Sequence, residues 1–340
     1  MAQIDTDAKV LGESAFGFGQ NHILKIGSRY YAAHVNESNY IEVHYSDNGT
    51  DWTLNYTSAV TVGDGHLSMC SSELGDVFLC FVSGTSSPYL VKVIRRDHTA
   101  GTWSEVLSQS QASTNDKTYA LCHYNRNINR LHVFWTRSDT ALNFTYVYNS
   151  YSDNYGTGWT SGTSFNNAGK GITYMYGLDS KPSTGVLYLL WVGVGCSFRR
   201  TEIFSAVGVE TGSEGDFGVN TVYGGGLVID SAGNRYSVGY YFSTPNYILQ
   251  VKKNGVDELT IYSDTVDVYK QGMFSIGIDA ADNVYIYYVK ESDGKIYMRK
   301  YNGAAWEDEA AVTDAVSYRP SLEHHSPSAS NKVNFVYYTD

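Results

Sequence analysis

The chain has 340 residues, and its 24 Lys and Arg against 35 Asp and Glu give a formal net charge of −11. That balance argues against nucleic acid or an anionic membrane surface as the main partner, since both are held by basic faces. Its 30 tyrosines and 33 glycines beside only 5 prolines favour pleated sheet punctuated by tight turns.

The opening stretch Met1-Ala2-Gln3-Ile4-Asp5-Thr6-Asp7 lacks the basic and apolar regions of a secretory signal. No apolar run approaches the roughly 18 residues of a membrane helix. The expectation is a chain made in a cytoplasm and not inserted in a membrane. Gln3–Leu11 reads as one strand ahead of the first full repeat.

Seven further strands then fall into register. They begin at Arg29 (RYYAAHV), Asp76 (DVFLCFV), Arg130 (RLHVFWT), Val186 (VLYLLWV), Arg235 (RYSVGYY), Asn283 (NVYIYYV) and Lys332 (KVNFVYY). Successive starts are 47, 54, 56, 49, 48 and 49 residues apart. The sixth column reads His34, Phe81, Trp135, Trp191, Tyr240, Tyr288 and Tyr337, and the fourth is apolar throughout. Apolar residues at columns two, four and six have the period of a strand with one strongly buried face. A turn rich in Gly, Asn or Asp precedes each strand, and another strand lies before that turn, as in His66–Ser72, Thr118–Tyr124 and Phe274–Asp279. A third strand follows, as in Tyr40–Tyr45 and Tyr89–Arg95.

A fourth strand opens at a Trp that ends a polar turn. The turn is Tyr45-Ser46-Asp47-Asn48-Gly49-Thr50-Asp51-Trp52, with a near copy from Tyr151 through Asp153 and Gly156 to Trp159. Looser relatives run from Asp97 to Trp103 and from Tyr301 to Trp306. Four antiparallel strands repeated about every 45–55 residues predict an all-β fold, a single β-propeller over residues 1–340. Seven blades are expected, at about 13–60, 61–113, 114–168, 169–220, 221–268, 269–316 and 317–340. The last is closed by residues 1–12, which removes an open sheet edge. A six-bladed ring with an odd terminal hairpin is the alternative.

The turn resembles the Asp box of sialidase-type (BNR-repeat) propellers, Ser-x-Asp-x-Gly-x-x-Trp. Asp47, Gly49 and Trp52 fill three of its four fixed positions, Tyr45 stands where Ser is expected, and the second copy carries one extra residue. The resemblance implies a structural role on the outer rim: Asp caps the turn, Gly takes positive φ, and Trp, including Trp103 and Trp306, packs between blades. It does not extend to sialidase catalysis, because the first blade has no Phe/Tyr-Arg-Ile-Pro motif and Tyr318-Arg319-Pro320 sits in the last one.

In a propeller, the crossings between blades and the loops between second and third strands share one face, the default ligand site. Its candidates are Asp64, His66, Asp116, Lys117, Tyr119, Lys170, Tyr174, Asp267, Tyr269, Lys270 and Arg319. Asp64 and His66 carry the most chemistry. Gly63-Asp64-Gly65-His66 resembles the approach to an inner strand in propeller lyases of uronic polysaccharides, where His beside a carboxylate would serve as general base. The competing reading is a polar loop with no chemistry.

Asp179, Asp230 and Asp279 recur before hairpin turns and read as turn residues, while His324-His325 is too poor in further ligands for a metal centre. Cys70, Cys80, Cys122 and Cys196 show no CxxC pair, and Cys70 and Cys122 fall in the middle of apolar strands, so buried free thiols are expected and not a disulfide frame. No P-loop, dinucleotide-binding glycine pattern, G-x-S-x-G or HExxH is present, and no cofactor is expected.

These features predict a non-enzymatic recognition or structural propeller. Its composition resembles that of phage tail, fibre and decoration proteins, which implies a virion component that binds a host-surface glycan or a neighbouring virion protein. A homo-oligomer or larger assembly is compatible with the sequence, though no coiled-coil heptad specifies one. A carbohydrate-active enzyme, a polysaccharide lyase or glycosidase using Asp64 and His66, is the alternative.

Overall fold

A computed structural model describes residues 22–36, 38–84, 89–111, 119–139, 144–162, 172–193, 199–217, 222–264, 274–290, 292–313, 318–322, 325–326 and 335–338. Every regular element in them is a strand. The first unit is β1 (Ile23–Ile26), β2 (Arg29–Val35), β3 (Tyr40–Ser46) and the first half of β4 (Thr53–Ser71). The second half of β4 opens the second unit, with β5 (Val77–Ser83), β6 (Tyr89–Arg96) and β7 (Trp103–Gln111). The third holds β8 (Ala120–Asn125), β9 (Arg130–Asp139), β10 (Phe144–Ser152) and β11 (Thr160–Ser161). The fourth holds β12 (Ile172–Ser180), β13 (Leu187–Gly193), β14 (Arg199–Phe204) and β15 (Glu210–Phe217). The fifth holds β16 (Val222–Ile229), β17 (Arg235–Ser243), β18 (Asn246–Lys253) and β19 (Val256–Asp264). The sixth holds β20 (Phe274–Asp279), β21 (Val284–Val289), β22 (Ile296–Tyr301) and β23 (Ala310–Ala311).

A seventh unit has β24 (Tyr318–Leu322) paired with β26 (Phe335–Tyr338), while the short β25 (His325–Ser326) adds in parallel to β20. The inner strands β1, β4, β8, β12, β16, β20 and β24 pack side by side in that order. The closing strand expected within residues 1–12 lies outside the described residues.

Among the described residues the aligned strands from β2 to β21 are buried on both faces, where their alternation alone pointed to one. All seven residues of β5 are buried. Val77, Leu79 and Phe81 pack on Leu24, Ile41 and Val43 of the first blade. Phe78, Cys80 and Val82 pack on Leu131, Val133 and Trp135 of the third. The second to sixth sheets are each held between two others, so apolar side chains on either face leave water. Inner strands approach so closely that a Cβ at Gly177 of β12 would stand 2.7 Å from the Cβ of Leu227 in β16. Cys70, Cys80 and Cys122 are buried free thiols, as expected, and burial pushes the Cys70 and Cys80 thiols well above their ordinary pKa.

Up-and-down pairing sorts the connections to two ends of the ring. First-to-second and third-to-fourth strand turns share one end, and the remaining loops and the blade crossings share the other. The Trp-ended turns therefore lie at the first end, and there the expected role of Asp is corrected. Asp47 accepts from Arg29 Nε and Nη2 at 2.7 and 3.0 Å, and Asp153 pairs with Arg130 in the same way. The capping falls to the next residue: Asn48 Oδ1 accepts the N–H groups of Thr50 and Asp51 at 3.0 and 2.9 Å. Asp97 Oδ1 does the same for Thr99 and Ala100, and Asn302 Oδ1 for Ala304 and Ala305. Buried Ser46 Oγ accepts from Gly49 N at 2.8 Å. Side-chain amide, carboxylate and hydroxyl oxygens all mimic a backbone turn.

Two of the tryptophans fasten blade to blade by a hydrogen bond. Trp103 Nε1 donates to Asn55 Oδ1 at 2.8 Å, and Trp159 Nε1 to the Val106 carbonyl at 2.7 Å. Trp306 packs against the core shared by the fifth and sixth blades. Trp52 instead bonds its own turn at Gly49 O and covers Ile23 and Ala32. Gly156 (φ +87°) must remain Gly, because a Cβ there would meet Val106 Cγ2 at 2.9 Å.

Ser46→Ala should therefore lower stability by about 1 kcal/mol. Asp47→Ala should lower it less, because the Arg29 pair is 38 % and 59 % exposed. Chemical denaturation of the two variants gives the ranking, and a larger loss for Asp47→Ala would contradict the assignment of the cap.

Candidate functional site

The crossing between the first two blades is the best-defined part of the candidate ligand face. From Val62 to Leu67, β4 takes five steps while β5 takes two, Ser83 to Phe81, so residues bulge out between them. Gly63-Asp64-Gly65-His66 is that bulge, at the crossing end of the ring. Bulges at a rim re-aim the chain away from the ladder. The sequence-predicted pair thus lies on the bulge at the crossing end.

The remaining candidates divide. Tyr174 and Arg319 lie on inner strands β12 and β24, towards the same end by topology. Asp116, Lys117, Lys170, Asp267, Tyr269 and Lys270 lie outside the described residues. Tyr119 is corrected: it is only 4 % exposed and belongs to the core cluster of Leu121, Phe134 and Met175, and its N–H donates to Thr136 Oγ1 at 2.9 Å. Its place in the sequence, just before an inner strand, left that inward packing hidden.

The aspartates before the hairpin turns hold those turns. Asp279 Oδ1 accepts from the N–H groups of Ala281 and Asn283 at 2.9 Å each, and its Oδ2 accepts from Tyr285 OH at 3.0 Å. Asp230 takes Asn234 N at 2.7 Å. Asp179 reaches across to Ile229 N of the next inner strand at 2.7 Å.

Two clusters that the sequence reading passed over are assembled from neighbouring strands. At the turn end, buried Asp76 faces Arg95 and His98, and Arg95 also reaches Asp97 at 2.9 Å. At the crossing end of the first blade, His34 of β2 pairs in register with Glu42 of β3, and His44 lies two residues further on the same face. Both histidine Nε2 atoms face one carboxylate oxygen: Glu42 Oε2 is 3.6 Å from His34 and 3.3 Å from His44. The two imidazoles stack at 5.2 Å.

Burial holds the His34 pKa down to about 4, with His44 as a second, repulsive cause, so the ring is neutral at pH 7. Burial alone would raise Glu42, but hydrogen bonds from Asn36 and His44 and electrostatic attraction to the nearby histidines outweigh it and keep the carboxyl below its ordinary range. A signal was present: His34 stands in the column that is aromatic in the other six repeats.

Four-stranded antiparallel sheets following one another along a row of packed inner strands define a β-propeller. No protein-family model matches the chain, and no curated protein matches its sequence. Solved structures share the fold. An α-L-arabinanase of Penicillium chrysogenum complexed with arabinobiose is 9 % identical, with 80 % of this chain and 92 % of that one covered and a TM-score of 0.54. The GH93 α-L-arabinofuranosidase of Fusarium graminearum, also with arabinobiose, is 10 % identical over 80 % and 91 % of the chains at a TM-score of 0.53. The six-bladed fucose-recognising lectin of Aleuria aurantia is 11 % identical over 85 % and 93 % at a TM-score of 0.50.

Proposed function

We propose that the chain is a non-enzymatic recognition propeller that takes carbohydrate at the crossing end of its ring. The observation that carries this reading is the shared fold, spanning most of both chains, with a lectin described as recognising fucose. The bulge at Asp64 and His66 brings polar residues to that end, and Tyr174 on β12 lies towards it, an aromatic of the kind that suits sugar rings. We place the protein in a phage or virus-like virion, as a tail, fibre or decoration component that meets a host-surface glycan or a neighbouring virion protein. Kinship with sialidase-type propellers is part of this proposal and rests on Asp47, Gly49, Trp52, Asp153, Gly156 and Trp159.

A carbohydrate-active enzyme is the second reading, favoured by the arabinanase and arabinofuranosidase that share the fold. A glycan array run beside a polysaccharide-cleavage assay separates the two. Binding without product, weakened in Asp64→Asn or His66→Ala, is the expected result. Product formation abolished by either substitution would replace the first reading with the second, and neither binding nor cleavage would end both.

A further inference from the structure

We propose that His34, Glu42 and His44 form a three-ligand site for a divalent first-row transition ion. An ion held by imidazole nitrogen and carboxylate oxygen at about 2.0–2.2 Å in tetrahedral geometry sets its ligand atoms about 3.4 Å apart. The separations here are 3.3 Å from His44 Nε2 and 3.6 Å from His34 Nε2 to the same Glu42 oxygen, and all three ligand atoms lie within 4.8 Å of one another. The donor set is assembled without a loop. Direct pairing of His34 with Glu42 and the two-residue step to His44 put all three on one face of a rigid ladder.

The surroundings fit the same reading. Glu42 is oriented by a second shell: its Oε1 accepts from Asn36 Nδ2 at 2.8 Å. Asn36 is itself fixed, because its Oδ1 accepts the N–H groups of Ser38 and Tyr40 at 3.0 Å each. Such second-shell bonds aim a ligating carboxylate. The His34 side chain is 3 % exposed and its Nδ1 has no hydrogen-bond partner among the described residues, a cost an aromatic ring would not carry in that column. Glu42 and His44 are 23 % and 15 % exposed, so the site keeps one side towards solvent, the arrangement of three protein ligands with a fourth position for water or substrate.

The second cluster of carboxylates and imidazole differs in kind. Arg95 already lies within 3.2 Å of Asp76 and 2.9 Å of Asp97, so a resident cation neutralises it.

Titration of chelator-treated protein with Zn²⁺, and with Co²⁺ for its absorption bands, tests the site. One equivalent should bind, with tetrahedral Co²⁺ bands. His44→Ala and Glu42→Gln should each weaken binding about 100-fold or more, and Asn36→Ala about 10-fold, while His98→Ala leaves it unchanged. The His44 and Glu42 side chains are partly exposed, so these variants should fold, and circular dichroism checks that they do. Absence of stoichiometric binding to folded protein would overturn the site, as would binding that survives both His44→Ala and Glu42→Gln. The readout is independent of any glycan, so its failure is distinct from failure of the carbohydrate reading.

Discussion

Asp76→Ala is expected to cost about 3–5 kcal/mol of folding stability, because it removes one partner of a buried charge network. Asp76 is fully buried. Its Oδ1 accepts from His98 N at 2.9 Å and lies 2.9 Å from His98 Nδ1, and Arg95 Nη2 lies within 3.2 Å of both its oxygens. Without the carboxylate, Arg95, only 15 % exposed, would keep Asp97 alone as its carboxylate partner. The damage would also spread between blades, since the Arg95 guanidinium lies 5.7 Å over the Tyr155 ring of the third blade and Tyr155 OH donates to Glu73 at 2.9 Å. Urea unfolding should show a lower midpoint with an unchanged slope. A loss under about 1 kcal/mol would show that water replaces the carboxylate readily.

Acid should begin to destabilise the protein before its carboxylates are protonated. Burial holds His22 down to about 4 and His132 well below the ordinary imidazole range. Imidazoles in the unfolded chain titrate near 6.5, so on acidification the unfolded state takes up these protons first. Stability is therefore complete above about pH 6.5 and falls as pH drops below it, levelling only once the folded-state value is passed. For His22 the interval from 6.5 to about 4 corresponds to about 3 kcal/mol. His132 adds a loss of the same sign. Both ring nitrogens of His132 lack hydrogen-bond partners among the described residues, and the ring packs at 6.0 Å from Tyr151. His132→Leu should accordingly flatten the dependence of stability on pH between 7 and 5 while remaining folded at pH 8. A pH profile unchanged by that substitution would remove His132 from the account.

Much of the fold was legible because repetition multiplies a weak signal. One segment such as RYSVGYY could be many things, but seven in register, each after a Gly, Asn or Asp turn, leave few architectures. The inner strands came out close to their observed limits: Phe274–Asp279 coincides with β20, and Thr118–Tyr124 overlaps β8 at Ala120–Asn125. The turn chemistry was read one residue off. Asp47 and Asn48 are both good capping residues, and only the position of Arg29 at the start of the neighbouring strand decides that Asp47 pairs and Asn48 caps.

The candidate site divides in the same way. Asp64 and His66 could be placed at a crossing from local pattern alone, since a Gly-Asp-Gly-His stretch between strands has to leave the ladder. Tyr119 could not, because whether an aromatic beside an inner strand faces the ligand or the next blade depends on the neighbour it meets. Beyond the odd His34 in an aromatic column, the His34, Glu42 and His44 group could not be assembled from the sequence for a related reason: its members belong to two strands whose register comes from a hairpin, and side-chain parity acts only once that register is set. By itself, then, the sequence determined the period, the strand alternation and the turns, all of which are local properties of the chain. Only the tertiary structure decided which polar groups meet across strands and blades, because those distances depend on registers and sheet contacts between residues far apart in the chain.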